Sequence, residues 1–136
     1  MGTYEVRTGF AAMDLPAVTT WLQGTYWARR RSAETIRLSM EHSMCFGVFE
    51  AESGRQVAFA RAITDGVTAY YLCDVVVDPD CRGKGVGGVL LRALVDHPTL
   101  RPLRGFLATR DAQNFYRKFG FIDGGDMLMQ TPVSFD

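Results

Sequence analysis

A chain of 136 residues, 47% hydrophobic and 22% charged, has the composition of an ordinary globular protein. Its formal net charge is zero, so no overall field attracts nucleic acid or an anionic membrane surface. No apolar run reaches the roughly 18 residues of a transmembrane helix, and the first residues carry no signal-peptide pattern.

Three cysteines, Cys45, Cys73 and Cys81, lack both C-x-x-C spacing and histidines at ligand spacing. We therefore expect free thiols, a cytoplasmic location and no metal site. The sequence contains no linker and no internal repeat, so residues 1–136 are predicted to form one domain.

The first half of the chain predicts a strand, two helices and a β-hairpin. Asp14 is a typical helix N-cap, Gly24 ends that helix, and Ser32 caps the next one. Alternating apolar residues then predict paired strands over 44–48 and 57–63.

The second half alternates between strands and helices, which favours an α+β fold with a mixed sheet. Its predicted elements are a strand over 70–77, a helix from Val86 to about His97, a strand over 103–109, a helix capped by Asp111, and last strands over 121–123 and 127–131.

The segment between the strand ending at Val77 and the helix beginning at Val86 is rich in glycine. Its glycines give a flexible backbone at a helix N-terminus, where N–H groups are free, over the run Arg82-Gly83-Lys84-Gly85-Val86-Gly87. Such a turn is typical of an anion site, and of phosphate above all.

Two familiar phosphate motifs fit this segment poorly. A nucleoside triphosphate loop requires Ser or Thr after its lysine, and Gly85 follows Lys84. Gly83-x-Gly85-x-x-Gly88 matches the dinucleotide pattern literally. However, five residues separate it from the strand, and no acid follows about twenty residues later. A turn without any ligand would not require so many glycines.

The remaining interpretation is the pattern Arg82-x-x-Gly85-x-Gly87, preceded by Val75-Val76-Val77-Asp78-Pro79 and followed by Ala112-x-x-x-Tyr116-x-x-x-Gly120-Phe121. Over nearly the whole chain this pattern resembles the GNAT superfamily of acetyl-CoA-dependent N-acetyltransferases. The resemblance implies an α+β fold with a mixed central sheet of six to seven strands and about four flanking helices. It also implies acetyl-CoA as co-substrate, and a primary amine of a small molecule or peptide as acceptor.

The resemblance also assigns the residues that bind coenzyme A. N–H groups of residues 82–87 would hold the pyrophosphate, and the 75–77 backbone would pair with the pantetheine arm and supply an oxyanion donor. Thr109 stands where many members carry asparagine, and Asn114 is a substitute contact. The full implied set is Val75, Val76, Val77, Arg82, Gly83, Lys84, Gly85, Val86, Gly87, Thr109, Asn114 and Tyr116.

The catalytic and acceptor residues leave alternatives open. The resemblance makes Tyr116 the general acid, although Tyr116 also belongs to an apolar stripe that a core would use. Asp74 is either the general base or the ion-pair partner of Arg61. Tyr26 and Trp27 are candidate walls of the acceptor pocket, beside arginines 29–31, which could attract an acidic group or simply be solvated.

A non-catalytic coenzyme A-binding regulatory module is the alternative function. We expect no nucleic-acid partner and no membrane partner. A homodimer stays open, because nothing in the sequence specifies an interface.

Overall fold

The computed structural model describes residues 3–132, in which a five-stranded sheet carries helices on both faces. The strands are β1 (Tyr4–Thr8), β2 (Met44–Glu50), β3 (Gln56–Thr64), β4 (Ala69–Val77) and β5 (Arg104–Phe106). The helices are α1 (Leu15–Gln23), α2 (Ala33–Glu41), α3 (Val86–Val95) and α4 (Gln113–Arg117), with short 3₁₀ turns at Phe10–Ala12, Pro79–Cys81 and Gly125–Met127.

The strands follow one another across the sheet in chain order, from β1 to β5. The first four are antiparallel, and β5 is parallel to β4 because α3 crosses between them. The β4–β5 pairing covers only Ala69 to Tyr71 on β4, which leaves the second half of β4 without a neighbour on that side.

Each face of the sheet has its own hydrophobic core. On one face, α3 packs Val86, Leu90, Leu91 and Leu94 onto Phe46, Ala58 and Leu72 of the sheet. On the other, α1 and α2 pack Val18, Leu22, Ile36 and Met40 onto Cys45, Phe49 and Phe59. Successive residues of β2, such as Cys45 and Phe46, therefore face opposite cores.

The helix starts predicted in the first half of the chain are confirmed. The Asp14 carboxylate accepts the backbone N–H of Ala17 at 3.2 Å, and the Ser32 hydroxyl accepts that of Thr35 at 3.1 Å. Both caps satisfy a backbone donor that would otherwise lack a partner. Gly24 is the residue at which α1 ends.

The expectation of six to seven strands is wrong, because the described residues contain five. The predicted strands over 121–123 and 127–131 do not form, and a 3₁₀ turn, Gly125–Met127, overlaps the start of the second range. Ile122 and Met129 are 89% and 92% exposed, so this segment lacks the buried face that a strand requires.

The fourth helix also differs from its prediction. It begins at Gln113, and Asp111 does not cap it; the Thr109 hydroxyl accepts the N–H of Ala112 instead. The described part of the chain contains four α-helices, which is the expected number. Nowhere in residues 3–132 is there a helix with the length and apolarity needed to cross a membrane.

The junction of β4 and β5 requires a glycine at position 105. Gly105 pairs with Tyr70, and a Cβ atom at Gly105 would lie 2.5 Å from Cζ of the Tyr70 ring. We expect Gly105→Ala to lower the free energy of unfolding by about 1–3 kcal/mol, as overpacking generally does. Urea denaturation measures this change.

Gly124→Ala is the matched control, because a Cβ at Gly124 would meet nothing within 4 Å and its φ of −78° suits alanine. An equal effect of the two substitutions would contradict the proposed contact between Gly105 and Tyr70.

Candidate active site

The centre of the site is a β-bulge in β4. Arg61 of β3 pairs with Cys73, whereas Phe59 pairs with Val76, so Asp74 and Val75 together oppose one residue of β3. Asp74 has a φ of +56°, and no other non-glycine residue among those described has a positive φ. The bulge puts Cys73 and Asp74 on the same face of the sheet, which is the face covered by α1 and α2.

Beyond the bulge, β4 is an open edge. Pairing with β5 stops at Tyr71, so on that side the backbone of residues 75–77 faces no strand. Val75 and Val77 pack against the core under α3, and Val76 packs against the core under α1 and α2. An extended molecule can therefore bind along this edge through backbone hydrogen bonds, as an added strand would.

The glycine-rich turn lies at the end of this open edge. Gly83 and Gly85 have φ values of +78° and +80°, a region that residues with a Cβ atom enter at a cost of about 1–2 kcal/mol. Gly85 is the N-cap of α3 and no side chain caps the helix, so its first N–H groups are available to a ligand. Arg82 and Lys84 are exposed beside them and add positive charge.

Residues that the sequence did not single out brace this turn. The Arg55 guanidinium donates to the Asp78 carboxylate at 2.8 Å and to the Cys81 sulfur at 3.2 Å. The Asp78 side chain in turn accepts the N–H of Asp80. Arg55 belongs to the β2–β3 hairpin, so only the folded sheet brings it to the turn, and no local pattern could have revealed it.

A groove of about 230 Å³ runs from the turn toward α4. Gly87 lies between its walls, since a Cβ at this position would be 3.4 Å from the Phe115 ring and 3.7 Å from Val77. The groove is lined by Val77, Cys81, Arg82, Gly83, Gly85, Val86, Gly87, Gly88 and Phe115. Six of the twelve coenzyme A-binding residues predicted from the sequence line this groove: Val77, Arg82, Gly83, Gly85, Val86 and Gly87.

Tyr116 of α4 packs against the aromatic rings of Phe115 and Phe121. Burial raises the pKa of its hydroxyl to about 12, so the group is protonated at neutral pH. Within residues 3–132 this hydroxyl has no hydrogen-bond partner. It is therefore able to donate a proton or a hydrogen bond to a ligand.

Asp74 is an ion-pair partner rather than an open carboxylate. Oδ2 accepts hydrogen bonds from Arg61 and Arg31, both at 2.7 Å, and Oδ1 accepts one from the Trp27 indole at 2.9 Å. Burial favours the neutral acid, but the two guanidinium groups outweigh it and hold the pKa of Asp74 below its ordinary value. The carboxylate therefore stays charged at neutral pH.

Tyr26 and Trp27 lie on the same side of the sheet as Asp74, in the connection between α1 and α2. Their rings contact edge to face, 5.2 Å apart, and the Arg110 guanidinium lies 3.8 Å from the centre of the Tyr26 ring. Since Trp27 also binds Asp74, both aromatic residues border the space next to the bulge. That they are walls of an acceptor pocket stays a prediction.

Six of the predicted residues do not line the groove, and two of these, Asn114 and Thr109, form hydrogen bonds elsewhere. Asn114 is exposed and accepts a hydrogen bond from Arg117 at 2.6 Å. Thr109 is occupied with the N–H of Ala112 at the start of α4. Their local hydrogen bonds depend on where α4 begins, which the sequence pattern placed too early.

Neither histidine borders the bulge as a free base. His42 Nδ1 lies 2.9 Å from the Leu38 carbonyl oxygen at the end of α2. His97 packs against Phe46 and accepts the N–H of Thr99. The part of the chain that the structure describes also contains no cluster of three or more potential metal-ligand side chains.

Comparison with known proteins agrees with this geometry. The family described as "Acetyltransferase (GNAT) domain" matches residues 42–123. The chain belongs to the GNAT family. This match contains the bulge, the glycine turn and α4, which are the parts that build the site, and it confirms the resemblance found in the sequence.

A crystal structure described as a GNAT-family acetyltransferase from Xanthomonas campestris pv. campestris is 38% identical, with a TM-score of 0.90. The alignment covers 98% of this chain and 95% of that one. This chain therefore shares the GNAT fold with that structure over nearly its whole length.

Two curated GNAT relatives come from plants. "Serotonin N-acetyltransferase 2, chloroplastic" of Oryza sativa subsp. japonica is 34% identical over 92% of this chain. "GCN5-related N-acetyltransferase 1, chloroplastic" of Arabidopsis thaliana is 31% identical over 90% of it. The alignments span only 64% and 57% of these relatives' lengths.

The buried Asp74 pair predicts a pH-dependent contribution to stability. We expect Asp74→Asn to lower the free energy of unfolding at pH 7 by about 3 kcal/mol, because it leaves two guanidinium groups without a carboxylate. Asparagine tolerates a positive φ, so the backbone adds little to this cost. Since the pKa of Asp74 is depressed in the folded state, the difference from the unsubstituted protein should shrink as the pH falls below about 4.

Urea denaturation between pH 7 and pH 3 measures this difference. Asp96→Asn is the control, because Asp96 forms an exposed pair with Arg92 at 3.8 Å, which is worth about 0.5 kcal/mol. A pH-independent effect of Asp74→Asn would contradict the ion-pair interpretation.

The backbone of the glycine turn predicts a separate effect on ligand binding. We expect Gly85→Ala to weaken coenzyme A binding roughly tenfold, because strain at positive φ displaces the N–H groups that face the ligand. Isothermal titration calorimetry with coenzyme A measures the change.

Gly66→Ala is the matched control, since Gly66 has a φ of +77°, equally open surroundings and a position in the β3–β4 turn. It should lower stability to a similar extent and leave the affinity unchanged. Equal affinities for all three proteins would remove the turn from the binding site.

Proposed function

We propose that this protein transfers an acetyl group from acetyl-CoA to a primary amine. The observation that carries the proposal is the continuity of the site. One open edge joins the bare N-terminus of α3, the unpaired backbone of residues 75–77 and the Asp74 bulge. Membership of the GNAT family supports acetyl-CoA as the donor. The open edge of β4 supports the place proposed for its binding.

The open edge suits the elongated shape and the charge of coenzyme A. The α3 N–H groups, with Arg82 and Lys84, would hold the pyrophosphate, because a helix N-terminus favours negative charge. The unpaired backbone from Val75 to Val77 would accept and donate hydrogen bonds along the pantetheine arm. The bound donor supplies a thioester, whose acyl carbon the acceptor amine attacks.

Two groups of the protein would then assist the transfer. A backbone N–H next to the bulge, in the 75–77 segment, would stabilise the oxyanion that develops on the acyl oxygen. The Tyr116 hydroxyl, which burial keeps protonated, would give its proton to the departing thiolate sulfur. The C–S bond breaks as the C–N bond forms, and the amine nitrogen releases its proton.

Asp74 serves better as an anchor than as the general base. Its carboxylate already accepts three hydrogen bonds and its pKa is low, so it has little tendency to take a proton from an ammonium group. Its role in this proposal is to fix Trp27, Arg31 and Arg61 around the acceptor side of the bulge.

Release of the coenzyme A thiol tests the proposal. The purified protein is mixed with acetyl-CoA and a panel of amines, and the thiol is titrated. Serotonin belongs in the panel because the rice relative carries it in its name. Thiol release that depends on an amine supports acetyl transfer. Tight coenzyme A binding with no release from any amine would favour the alternative, a non-catalytic coenzyme A-binding module.

The substitution Tyr116→Phe tests the proposed role of the Tyr116 hydroxyl as proton donor. The substitution keeps the ring among Phe115 and Phe121 and removes only the proton donor. We expect kcat to fall roughly 100-fold or more, the usual contribution of acid–base catalysis, while the affinity for acetyl-CoA changes little. Steady-state kinetics measures both quantities. An unchanged kcat would show that Tyr116 is only a packing residue.

A further inference from the structure

The Arg55 side chain links the β2–β3 hairpin to the segment that leads into the glycine turn. Its Nη1 donates to the Asp78 carboxylate at 2.8 Å, and its Nη2 donates to the Cys81 sulfur at 3.2 Å. Asp78 is the N-cap of the 3₁₀ turn Pro79–Cys81, and Cys81 is its last residue. One guanidinium group therefore holds both ends of this short turn.

The hairpin in turn holds Arg55. The Arg55 carbonyl accepts the N–H of Glu50 at 2.8 Å, and the Arg55 N–H donates to the Ser53 hydroxyl at 3.2 Å. The Ser53 hydroxyl donates to the Glu50 carboxylate, which also lies 3.4 Å from Nε of Arg55. Each nitrogen of the guanidinium group thus has a partner within the protein. This arrangement suits a supporting role better than direct contact with a ligand.

The segment that Arg55 holds continues directly into the glycine turn. Cys81 is buried, lines the groove and precedes Arg82, the first residue of the turn. Beyond it, Gly83 and Gly85 have positive φ, and glycine leaves such a backbone free to adopt many other conformations. A ligand that needs the N–H groups of the turn in one arrangement must offset the entropy of ordering them, unless the free protein already holds them in place.

We propose, on the basis of the coenzyme A placement in the proposed function, that Arg55 is a positioning residue for the coenzyme A pyrophosphate. By holding Asp78 and Cys81, it keeps the N–H groups of residues 82–87 in the arrangement that binds phosphates. It does so from a position beside the groove, which it does not line. The forked shape of the guanidinium group is required, because a lysine ammonium is a compact point charge and reaches only one of the two partners.

The substitution Arg55→Lys tests this role, since lysine keeps the positive charge and does not hold Asp78 and Cys81 together. We expect the variant to bind coenzyme A roughly tenfold more weakly in isothermal titration calorimetry. Unchanged affinity would overturn the proposal, and would show that only the charge of Arg55 matters.

Arg37→Lys is the matched control. Arg37 also forms ion pairs with two glutamates, but it lies on α2, on the face of the sheet opposite to α3. It should leave the affinity for coenzyme A within about twofold, because exposed pairs of this kind contribute little. An equal loss of affinity in both lysine variants would contradict a specific role of Arg55.

A double-mutant cycle places the effect at the contact itself. Asp78→Asn keeps a side-chain oxygen that can accept the N–H of Asp80, and removes the charge that Arg55 binds. The affinity of the double variant Arg55→Lys/Asp78→Asn should be close to that of the weaker single variant, because both changes break the same contact. Losses that multiply in full would show that the two residues act independently, which is incompatible with the proposal.

Kinetics distinguishes positioning of the turn from a general disturbance of the site. In the thiol-release assay, the KM for acetyl-CoA should rise roughly tenfold in Arg55→Lys, while kcat at saturating acetyl-CoA stays within about twofold. This split is expected because Arg55 contacts neither Tyr116 nor the bulge. A fall in kcat at unchanged KM would overturn the assignment.

Amide exchange reports on the same segment without a ligand. The Cys81 N–H donates to the Asp78 carbonyl at 2.8 Å, within the segment that Arg55 holds. Its exchange with deuterium, followed by NMR, should be roughly tenfold faster in Arg55→Lys and unchanged in Arg37→Lys. Equal exchange rates in all three proteins would show that Arg55 does not order the segment.

Coenzyme A binding requires no acceptor amine, so the role of Arg55 and the proposed acetyl transfer can fail separately. Weaker binding by Arg55→Lys supports the role of Arg55 even if no amine releases thiol, and in that case only the function fails. Thiol release together with equal coenzyme A affinities would overturn only the role of Arg55. Absence of coenzyme A binding to the unsubstituted protein would overturn both.

Discussion

The whole site depends on the left-handed backbone of one residue, Asp74. In a regular strand, Cys73 and Asp74 would face opposite cores, because successive side chains alternate. At φ +56° they share a face, and the alternation resumes with Val75 on the other side. This conformation costs about 1–2 kcal/mol, which the three hydrogen bonds to the buried carboxylate offset. One local distortion thus turns a carboxylate toward Trp27, next to the edge of β4 that the short strand β5 leaves open.

The two ends of the open edge differ in their electrostatics. At the glycine turn, backbone N–H groups, Arg82 and Lys84 are exposed and carry positive charge toward a ligand. At the bulge, the charges of Arg31 and Arg61 are directed into the protein, onto a single buried carboxylate. A ligand with phosphates at one end and an uncharged acyl group at the other matches these two ends in only one orientation, with its phosphates at the glycine turn. On the proposed placement of acetyl-CoA, this difference in charge would set the orientation of the donor.

Features that depend on neighbouring residues could be predicted from the sequence, and features that depend on strand register could not. The caps at Asp14 and Ser32 and the turn around Gly85 are set within a few residues, so their patterns were sufficient. The bulge depends on how β4 pairs with β3, and the partners of Asp74 include Trp27 and Arg31, more than forty positions earlier. The prediction of the last two strands was wrong for a related reason. Apolar residues such as Ile122 and Met129 indicate a strand only where a neighbouring part of the protein buries them.

The acceptor side also bears on how the amine loses its proton. In residues 3–132, Asp74 is held by three donors, and both histidines are engaged at helix ends, so no free base borders the bulge. Burial against apolar side chains disfavours the charged form of an amine and lowers its pKa. On the proposed function, an amine at the bulge, near the half-buried Cys73 and Trp27, would therefore bind more readily in its uncharged form than as the ammonium ion. Partial burial at this position would supply part of what a general base provides elsewhere, with solvent as the proton acceptor.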